Sequence, residues 1–276
     1  MNKYLVTGGC GFIGSNLVKT LVKMKSEVIV VDDLSSGKLI NLPNSKRVNL
    51  IEKAIQDISI LEISHIDGIF HLAAQASVPK SIDRFYESSK NNLLSTIKIF
   101  DIAKKKKVPI VYASSSAVYG NLALGDEYQN NFDIISPYAL DKLTMENYAK
   151  LSFKLFNLSS IGLRFFNVYG PREYYKAHTS SMIIQLGHQI LDGKIPRLFT
   201  GSDQIFRDFI YIDDVLQAII KSCDPKKNGT YNVGTGISRS FQDIVDILQK
   251  ELGTDLGTEY FSNPYVLISA CLYFQH

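Results

Sequence analysis

Two side chains in the segment SPYALDK have the types and the spacing for acid–base chemistry. Tyr138 and Lys142 stand four residues apart, which places them on one face of a helix. A tyrosine with a pKa of roughly 10 is a poor base at neutral pH, and a neighbouring ammonium stabilises its phenolate. Ser115, in the apolar run VPIVYASSS, can hydrogen-bond a substrate hydroxyl or carbonyl. Together they predict a site that moves a proton at a substrate oxygen, although a chance YxxxK pattern on an amphipathic helix is the simpler alternative.

The N-terminal stretch KYLVTGGCGFIGSNLVKTL contains a second group of candidate residues. Gly8, Gly11 and Gly14 stand between an apolar run of strand length and a segment of helical period. Glycines at such a junction permit a tight turn and a close approach of the backbone to a pyrophosphate, which the free N–H groups of the helix start attract. An ordinary strand–helix turn is the alternative, because the spacing is GxxGxxG.

An acidic residue after the next apolar run favours the pyrophosphate interpretation. Asp32 follows Gly8 by 24 residues, close to the roughly 20 residues at which dinucleotide-binding folds place the acid that bonds a ribose. A carboxylate there accepts a hydrogen bond from a 2′-hydroxyl and repels a 2′-phosphate. The sequence therefore predicts NAD as the cofactor in preference to NADP, with the nearby Lys38 as the feature that favours NADP.

The elements that must position these residues alternate along the first part of the chain. Helical segments separate the strand-like runs KYLVTG, EVIVVDD, RVNLIEKAI, DGIFHLAA, VPIVYASSS and IGLRFFNVYG. The helix SPYALDKLTMENYAKLSF is expected to have Ser136 as its N-cap and Pro137 at its first position. Continuous apolar strands separated by helices predict βαβ units and a doubly wound parallel sheet with Ser115 at its carboxyl edge.

After Gly170 the pattern changes to shorter, mixed elements. These are a helix at SMIIQLGHQILDG, a short strand at RLFTG, a strand and helix at DFIYIDDVLQAIIKS, and a further pair at TYNVGTG and SFQDIVDILQKEL. We expect a dinucleotide-binding domain over residues 1–167, with a return segment at about 207–230. Residues 168–206 and 231–276 would then form a smaller, interleaved C-terminal substrate lobe.

Composition limits the classes of function. The chain has 276 residues, of which 45% are hydrophobic, and a formal net charge of +3, too small to indicate a nucleic-acid partner. Three widely separated cysteines and five histidines without metal-ligand spacing indicate a reducing compartment and no metal site. The longest uncharged apolar stretch, residues 265–274, is too short to span a bilayer. We expect a cytoplasmic protein without a membrane partner.

A series of motifs then gives the chain a family resemblance. TGGCGFIG, VDDLSSG, HLAAQASV, KNNLLST, YASSSAVYG, SPYALDK, RFFNVYGP and RDFIYIDD occur in this order from residue 4 to about 214, and NVGTG follows. In this the chain resembles the extended short-chain dehydrogenase/reductases of the nucleotide-sugar epimerase/dehydratase family. The resemblance implies an α/β fold of Rossmann type, NAD as cofactor and a nucleotide sugar as substrate.

The resemblance also assigns roles to individual residues of this sequence. It implies contacts with the pyrophosphate for Gly8, Gly11, Phe12, Ile13 and Gly14. It implies contacts with the ribose or adenine for Asp32, Asp33, Ser36, Gly37, Asp57 and Ile58. It implies contacts with the nicotinamide half for Leu72, Ala73, Ala74, Asn92, Tyr138, Lys142 and Phe165. Ser115, Tyr138 and Lys142 would be catalytic. Asn167 and Arg207 would contact the substrate diphosphate, and for these two a purely structural hydrogen bond or ion pair is an equal alternative.

The residues after Ser115 bear on the reaction. Dehydratases and related decarboxylases of the family resemble one another in carrying acidic residues at this point, which the dehydratases need for elimination. This chain has Ser116 and Ala117 there, which favours epimerisation: transient oxidation to a keto sugar, then return of the hydride to the other face. A non-catalytic dinucleotide-binding regulator is the alternative of another class, and such relatives usually lose the tyrosine–lysine pair.

The substrate is less well defined because the two halves of the chain resemble different enzymes. HLAAQASVPKS resembles UDP-hexose and UDP-N-acetylhexosamine 4-epimerases, whereas GPREYYKAHTSS resembles ADP-glycero-manno-heptose 6-epimerases. In the heptose enzymes a second acid/base corresponds to Lys176, for which a surface or phosphate-contacting role is the alternative. Asp32 and the HLAAQASV segment favour a UDP-hexose 4-epimerase, of the glucose/galactose, N-acetyl or uronic type.

Two further expectations come from the resemblance. SNPYVLISACLYFQH lacks the polar stretch and helices with which relatives continue, so we expect a shortened substrate lobe. Relatives commonly dimerise through helices beside the catalytic one. FYESSKNNLLSTIKIFDIAKK and LTMENYAKLSFKLF are apolar enough for this, and a homodimer is expected, although core packing predicts the same apolar stripe.

Overall fold

The computed structural model describes residues 1–120, 122, 125–128, 131–224 and 226–262. The strands are β1 Lys3–Thr7, β2 Glu27–Asp32, β3 Val48–Glu52, β4 Gly68–His71, β5 Ile110–Ser115, β6 Ser160–Phe165, β7 Asn167–Tyr169, β8 Arg197–Phe199, β9 Phe206–Tyr211, β10 Gly229–Val233, β11 Ser238–Ser240 and β12 Glu259–Phe261. The helices are α1 Phe12–Lys23, α2 Val78–Asp83, α3 Phe85–Lys106, α4 Pro137–Phe156, α5 Met182–Leu191, α6 Ile212–Lys221 and α7 Phe241–Leu252. Cys271 and the apolar stretch 265–274 lie outside the described residues.

The main sheet has seven parallel strands in the order β10-β6-β5-β4-β1-β2-β3. This confirms the predicted α/β fold of Rossmann type. The strand order runs outward in both directions from the pair β1 and β4, so the connections reverse direction there. In doubly wound sheets such a reversal opens a crevice at the carboxyl ends of the two central strands. Ligands are therefore expected beyond Thr7 and His71.

Each face of the main sheet is covered by its own apolar cluster. Successive residues of a strand point to opposite faces, and in β1 Leu5 belongs to the cluster with α3 and α4, whereas Val6 belongs to the cluster with α1 and α6. These residues are fully buried. Since both faces are covered, the strands need apolar residues at nearly every position, which is why they are visible as continuous runs in the sequence.

The predicted caps of α4 are present. The Ser136 side chain accepts a hydrogen bond from the Ala139 N–H, and Pro137 occupies the first helical position. The helix ends at Asn157, which adopts the left-handed conformation. These caps fix where the helix begins, and therefore the height of Tyr138 above the sheet edge.

The run IGLRFFNVYG forms two strands and not the single strand that its composition predicts. β6 pairs with β5 and β10 in the main sheet, but β7 pairs with β9 in a second sheet of order β11-β9-β7. At the junction the Phe166 N–H donates to the Val233 carbonyl at the end of β10, 3.1 Å away. Once that pairing ends, the chain leaves the main sheet, which a continuous apolar sequence does not reveal.

The smaller elements pack around a separate apolar cluster. α5 and α7 bury Leu186, Ile244 and Val245 against each other, and β8 pairs with β12 beside them. Strands β11 and β12 were not expected from the sequence. The predicted boundary at residue 230 falls inside β10, so the main sheet continues to Val233. The division into an NAD domain and a substrate lobe remains a proposal.

Candidate functional site

The glycine loop follows β1 directly and is held against β2 and β4. Gly8 donates to the Val31 carbonyl at 2.9 Å, and Gly11 donates back to the Gly8 carbonyl at 3.1 Å. Gly8 has a φ of +69°, and a Cβ there would lie 2.8 Å from the backbone of Ala73. A Cβ on Gly14 would collide with the Gly8 carbonyl oxygen. The loop is therefore closed as tightly as glycine allows, and α1 begins immediately after it.

Replacing Gly14 by alanine should open this loop. The added methyl group has no space, so Gly8 must move away from its partners, and we expect at least a tenfold weaker affinity for NAD together with lower stability. Isothermal titration calorimetry and thermal unfolding would measure both. The matched control is Gly187→Ala inside α5, where an added Cβ meets nothing within 4 Å. That change should raise stability by about 0.5–1 kcal/mol and leave NAD affinity unchanged; equal effects of the two variants would contradict the argument.

A cleft of about 660 Å³ lies over the carboxyl ends of β1, β2 and β4. Lys176 lies on its wall. So do most of the predicted cofactor residues: Gly8, Gly11, Phe12, Ile13, Gly14, Asp32, Asp33, Ser36, Gly37, Leu72, Ala73 and Ala74. The wall also includes residues that the sequence reasoning did not single out, among them Lys53, Gln75, Lys80, Arg172 and Tyr175. All but Lys53 lie inside the motifs HLAAQASVPKS and GPREYYKAHTSS, but no role for these particular residues followed from the sequence.

Asp32 holds the loop as well as facing the cleft. One carboxylate oxygen accepts from the Cys10 N–H and the other from the Leu34 N–H, both at 2.9 Å. Burial raises the pKa of Asp32, and these two backbone donors oppose that rise. The carboxylate is thus fixed at the end of β2, where it can accept from a ribose hydroxyl. Lys38 also lies on the cleft wall, and its N–H donates to the Cys10 carbonyl.

Two residues that were predicted near the adenine, Asp57 and Ile58, are not on the cleft wall. Asp57 is exposed on a short 3-10 turn, and Ile58 is 1% exposed within the core cluster beneath α3. Lys53, Ala54 and Ile55 lie on the cleft wall instead. The adenine contact of Asp57 and Ile58 therefore stays a prediction.

Ser115, Tyr138 and Lys142 come together where β5 ends and α4 begins. Burial raises the pKa of Tyr138 to about 12, and the interaction of its hydroxyl with Ser115 lowers it. Lys142 is 2% exposed; its ammonium donates to the Ala113 carbonyl at 2.7 Å and lies 5.6 Å from the centroid of the Tyr138 ring. Burial lowers the pKa of Lys142 to about 8, while the charges of Asp141 and Glu146 raise it.

A buried histidine lies behind this group and was not singled out from the sequence. His71, the last residue of β4, is 1% exposed, and its Nδ1 lies 2.7 Å from the Thr7 hydroxyl. Burial, with a further contribution from Lys142, lowers its pKa to about 3. The imidazole is therefore neutral. The pair Thr7 and His71 connects the two central strands at the sheet edge.

Ser115, Tyr138 and Lys142 are not on the cleft wall, and four other predicted residues have structural partners and lie off it as well. Phe165 is 8% exposed at the end of β6, beside Ser115 in the neighbouring strand. Asn92 is held by Gln75 and Asp141. Asn167 donates to the Asp208 carbonyl at 3.0 Å. Arg207 is 3% exposed, donates to the Phe206 carbonyl and lies over the ring of Phe241.

The segment after β7 closes the end of the cleft at the glycine loop. The Asn16 side chain in α1 donates to the Pro171 carbonyl and accepts from the Arg172 guanidinium, both at 2.9 Å. Lys176 lies 3.6 Å from the Glu173 carboxylate and 5.6 Å from the centroid of the Phe12 ring. These contacts hold the GPREYYK segment over the glycine loop.

The residues present fit a dinucleotide. The glycine loop leaves room for phosphates at the start of α1, and the Asp32 carboxylate is fixed where a ribose hydroxyl would bind. No group of three or more His, Cys, Asp or Glu side chains in the described part of the chain is placed to hold a metal, and none of the described helices has the length and apolar character needed to cross a bilayer.

The doubly wound sheet carries the glycine loop, a carboxylate placed to bind a ribose hydroxyl and a serine–tyrosine–lysine group. Together these features define an α/β enzyme that binds a dinucleotide. The chain belongs to the NAD-dependent epimerase/dehydratase family, whose model matches residues 4–234. Its cofactor is accordingly NAD. Family membership and the presence of Tyr138 and Lys142 argue against the non-catalytic alternative.

Three solved structures illustrate the similarity. UDP-N-acetylglucosamine 4-epimerase from Methanobrevibacter ruminantium M1, in complex with UDP-N-acetylmuramic acid, is 34% identical with a TM-score of 0.90, over 95% of this chain and 86% of that chain. The ADP-L-glycero-D-manno-heptose-6-epimerase of Helicobacter pylori is also 34% identical, with a TM-score of 0.87 and the same coverage. The UDP-glucose 4-epimerase of Thermus thermophilus, in complex with NAD, is 29% identical over 95% and 86% of the two chains, with a TM-score of 0.83.

Proposed function

We propose that this enzyme is an epimerase of a nucleotide sugar that acts on a UDP-hexose at carbon 4. The observation that carries the proposal is the Ser115–Tyr138–Lys142 group at the sheet edge, with Tyr138 and Lys142 buried and no acidic residue directly after Ser115. Ser116 and Ala117 begin a short 3-10 helix that turns away from β5. Elimination of water needs an acid at the reacting sugar, and a reversible oxidation and reduction needs only the proton carrier that is present.

In the proposed reaction Tyr138 removes the proton of the sugar hydroxyl and Ser115 holds the oxygen by a hydrogen bond. Lys142 stabilises the Tyr138 phenolate through its charge, since a cation beside a tyrosine lowers the pKa of that tyrosine. NAD supplies the acceptor and then the donor of the hydride. After the keto sugar presents its other face, Tyr138 returns the proton and the stereochemistry is inverted.

The choice between the two candidate substrates depends on Lys176. A second acid/base at this position would support an ADP-heptose 6-epimerase, and the likeness to the Helicobacter pylori enzyme favours that alternative. The Lys176 ammonium, however, interacts with Glu173 and with the ring of Phe12, contacts that suit a role in closing the cleft. These contacts and the fixed Asp32 support a UDP-sugar 4-epimerase as the first candidate.

A substrate panel tests the proposal. The purified NAD-loaded protein is incubated with UDP-glucose, UDP-galactose, their N-acetyl and uronic counterparts and ADP-heptose, and the sugar products are separated. We expect interconversion of a pair that differs only at carbon 4. Conversion of the heptose alone would select the alternative, and a 4-keto-6-deoxy product would show a dehydratase and overturn the proposal. A Lys176→Met variant separates the candidates further, because the heptose mechanism needs this amine.

We also propose that the enzyme is a homodimer built on α3 and α4. Both helices expose large apolar side chains at positions that face away from the sheet, including Leu94, Ile97, Leu140 and Leu151, each 42–48% exposed. Positions three and eleven residues apart share a helix face, so the two residues named on each helix lie on one face of it. Sedimentation velocity should give twice the mass of the chain, and Leu94→Glu with Leu140→Glu should give the mass of one.

A further inference from the structure

An arginine on the cleft wall has a left-handed backbone conformation and no role in the reaction described above. Arg172 has a φ of +72°, a region in which residues other than glycine are uncommon. Such conformations persist only where the surrounding structure holds them, and they occur often at sites that bind ligands. Arg172 lies on the cleft wall together with Lys176 of the same segment. The contacts around Arg172 show what holds it in this conformation.

The chain is fixed on both sides of Arg172. Before it, the Pro171 carbonyl accepts a hydrogen bond from the Asn16 side chain of α1 at 2.9 Å. After it, the Glu173 carboxylate is 1% exposed and accepts from the N–H and the hydroxyl of Ser181, at 2.6 and 2.8 Å. Ser181 directly precedes α5. Arg172 is therefore held between α1, the helix that follows the glycine loop, and α5.

The Asn16 amide also fixes the guanidinium of Arg172. Its Nδ2 donates to the Phe12 and Pro171 carbonyls at 3.0 and 2.9 Å, which uses both of its N–H groups. Its Oδ1 accepts from the Arg172 Nη1 at 2.9 Å. A flipped amide would turn its oxygen toward two carbonyl oxygens, so the acceptor for the guanidinium is fixed. A guanidinium has five N–H donors, and this bond uses one of them.

The charge of this guanidinium is not offset. Within the described residues its hydrogen-bond partner is the neutral Asn16 amide, and no carboxylate pairs with it. Three other cations on the wall are each paired with a carboxylate: Lys53 with Glu62 at 2.7 Å, Arg84 with Glu87 at 3.6 Å and Lys176 with Glu173 at 3.6 Å. The ammonium groups of Lys38 and Lys80 have no fixed position, because no described residue bonds them. Arg172 thus presents a positive charge that is held in place and still available to an anion.

We propose that Arg172, held by Asn16, is a cofactor-binding residue whose guanidinium contacts a diphosphate at the glycine loop, namely the pyrophosphate of NAD. The glycine loop offers backbone N–H groups to this anion but no full positive charge, and a guanidinium bonds phosphate oxygens in a fixed geometry. The Lys176 ammonium, 5.6 Å from the centroid of the Phe12 ring, shows that the same segment lies over the start of α1. The proposal rests on NAD as the cofactor and not on the proposed epimerase reaction.

The direct test is isothermal titration calorimetry of the full chain with NAD, at low and at high concentrations of KCl, and it needs no sugar substrate. Arg172→Met keeps an apolar stem and removes the charge. At low salt we expect an affinity for NAD at least about tenfold weaker, as for the loss of a hydrogen bond to a charged group. At high salt the difference should shrink, because added ions screen the charge in the unaltered protein. An equal loss at both salt concentrations would assign Arg172 a structural role, and an unchanged affinity would exclude the contact; either result would overturn the proposal.

The matched control is Arg47→Met. Arg47 is partly exposed like Arg172, and its guanidinium also donates to a neutral acceptor, the Lys25 carbonyl. It precedes β3 at the amino end of that strand, whereas the cleft lies over the carboxyl ends of the strands. The affinity of Arg47→Met for NAD should therefore be unchanged at both salt concentrations.

Two further measurements complete the design. Arg172→Gly replaces Arg172→Met if the latter does not fold, since glycine adopts this φ without strain, and the same salt-dependent loss is expected. UDP is the second probe, because a nucleotide sugar also carries a diphosphate. A weaker affinity of Arg172→Met for UDP with an unchanged affinity for NAD would assign the guanidinium to the substrate and overturn the proposal. Absence of turnover of any nucleotide sugar by the unaltered protein would refute the proposed function alone, because the NAD titration stands without it.

Discussion

A phenylalanine in place of Tyr138 is expected to lower the rate of hydride transfer by about three orders of magnitude, since a positioned general base contributes roughly 10²- to 10⁴-fold. The substitution removes one hydroxyl that interacts with Ser115 and leaves the buried ring in place. Stability and NAD binding should therefore change little. Stopped-flow absorbance at 340 nm after mixing with an accepted nucleotide sugar measures the step directly.

Tyr112→Phe is the control for this prediction. Tyr112 is a fully buried tyrosine of β5, and its hydroxyl lies 3.4 Å from that of Thr230. Its loss should change the rate by less than about threefold, as expected for one weak hydrogen bond. Near-normal hydride transfer in Tyr138→Phe would remove the basis for assigning this tyrosine as the proton carrier.

The largest expected effect on stability concerns the buried ion pair between Glu146 and Arg164. Both side chains are 2% exposed or less, and the pair is bidentate. Arg164 also donates to the Tyr119 hydroxyl at 2.8 Å, which connects α4 and β6 to the turn after Ser115. Glu146→Gln leaves the guanidinium buried without its counter-charge, and we expect the free energy of unfolding to fall by about 3–5 kcal/mol. Urea denaturation followed by circular dichroism measures this quantity.

Two comparisons make this second prediction specific. Glu27→Gln breaks an exposed pair with Lys3, and such pairs contribute about 0–1 kcal/mol. The double variant Glu146→Met with Arg164→Met removes both charges, so it should cost less than the sum of the two single changes. A Glu146→Gln protein within about 1 kcal/mol of the unaltered one would mean that the network is not important for stability.

The secondary structure could be predicted because its two main determinants, the apolar pattern of each segment and the capping residues of the helices, are local. The strands of the main sheet are buried on both faces, so each is a short continuous apolar run, and the intervening helices have their own period. Ser136 and Pro137 marked the start of α4 because capping is a matter of neighbouring residues. The exchange of sheets at Phe166 was not predictable in this way. It depends on hydrogen bonds to Val233 and Phe209, residues far along the chain.

In the candidate site, too, the features set by local sequence could be predicted and those set by distant contacts could not. Motifs identified the glycine loop, Asp32 and the Ser115–Tyr138–Lys142 group as candidates, because each needs particular residue types at fixed spacing. They did not indicate that Lys53, Ala54 and Ile55, just before Asp57 and Ile58 in the chain, line the cleft. Nor did they indicate that Asn92 acts from behind the loop at Gln75, or that His71 is buried and neutral.

The amino-acid sequence by itself determined the class of fold and the cofactor, and it supplied the candidates for the proposed proton-transfer group, because spacing along a strand or helix sets these features over a few residues. Only the tertiary structure decided which charges act on that group. The pKa of Lys142 depends on its burial and on the carboxylates Asp141 and Glu146. Arg164 of β6 is paired with Glu146 and the neutral His71 ends β4, so residues of three elements are brought together in a buried space. Electrostatic interactions in such a space depend on distance and burial, and neither can be obtained from the order of the residues.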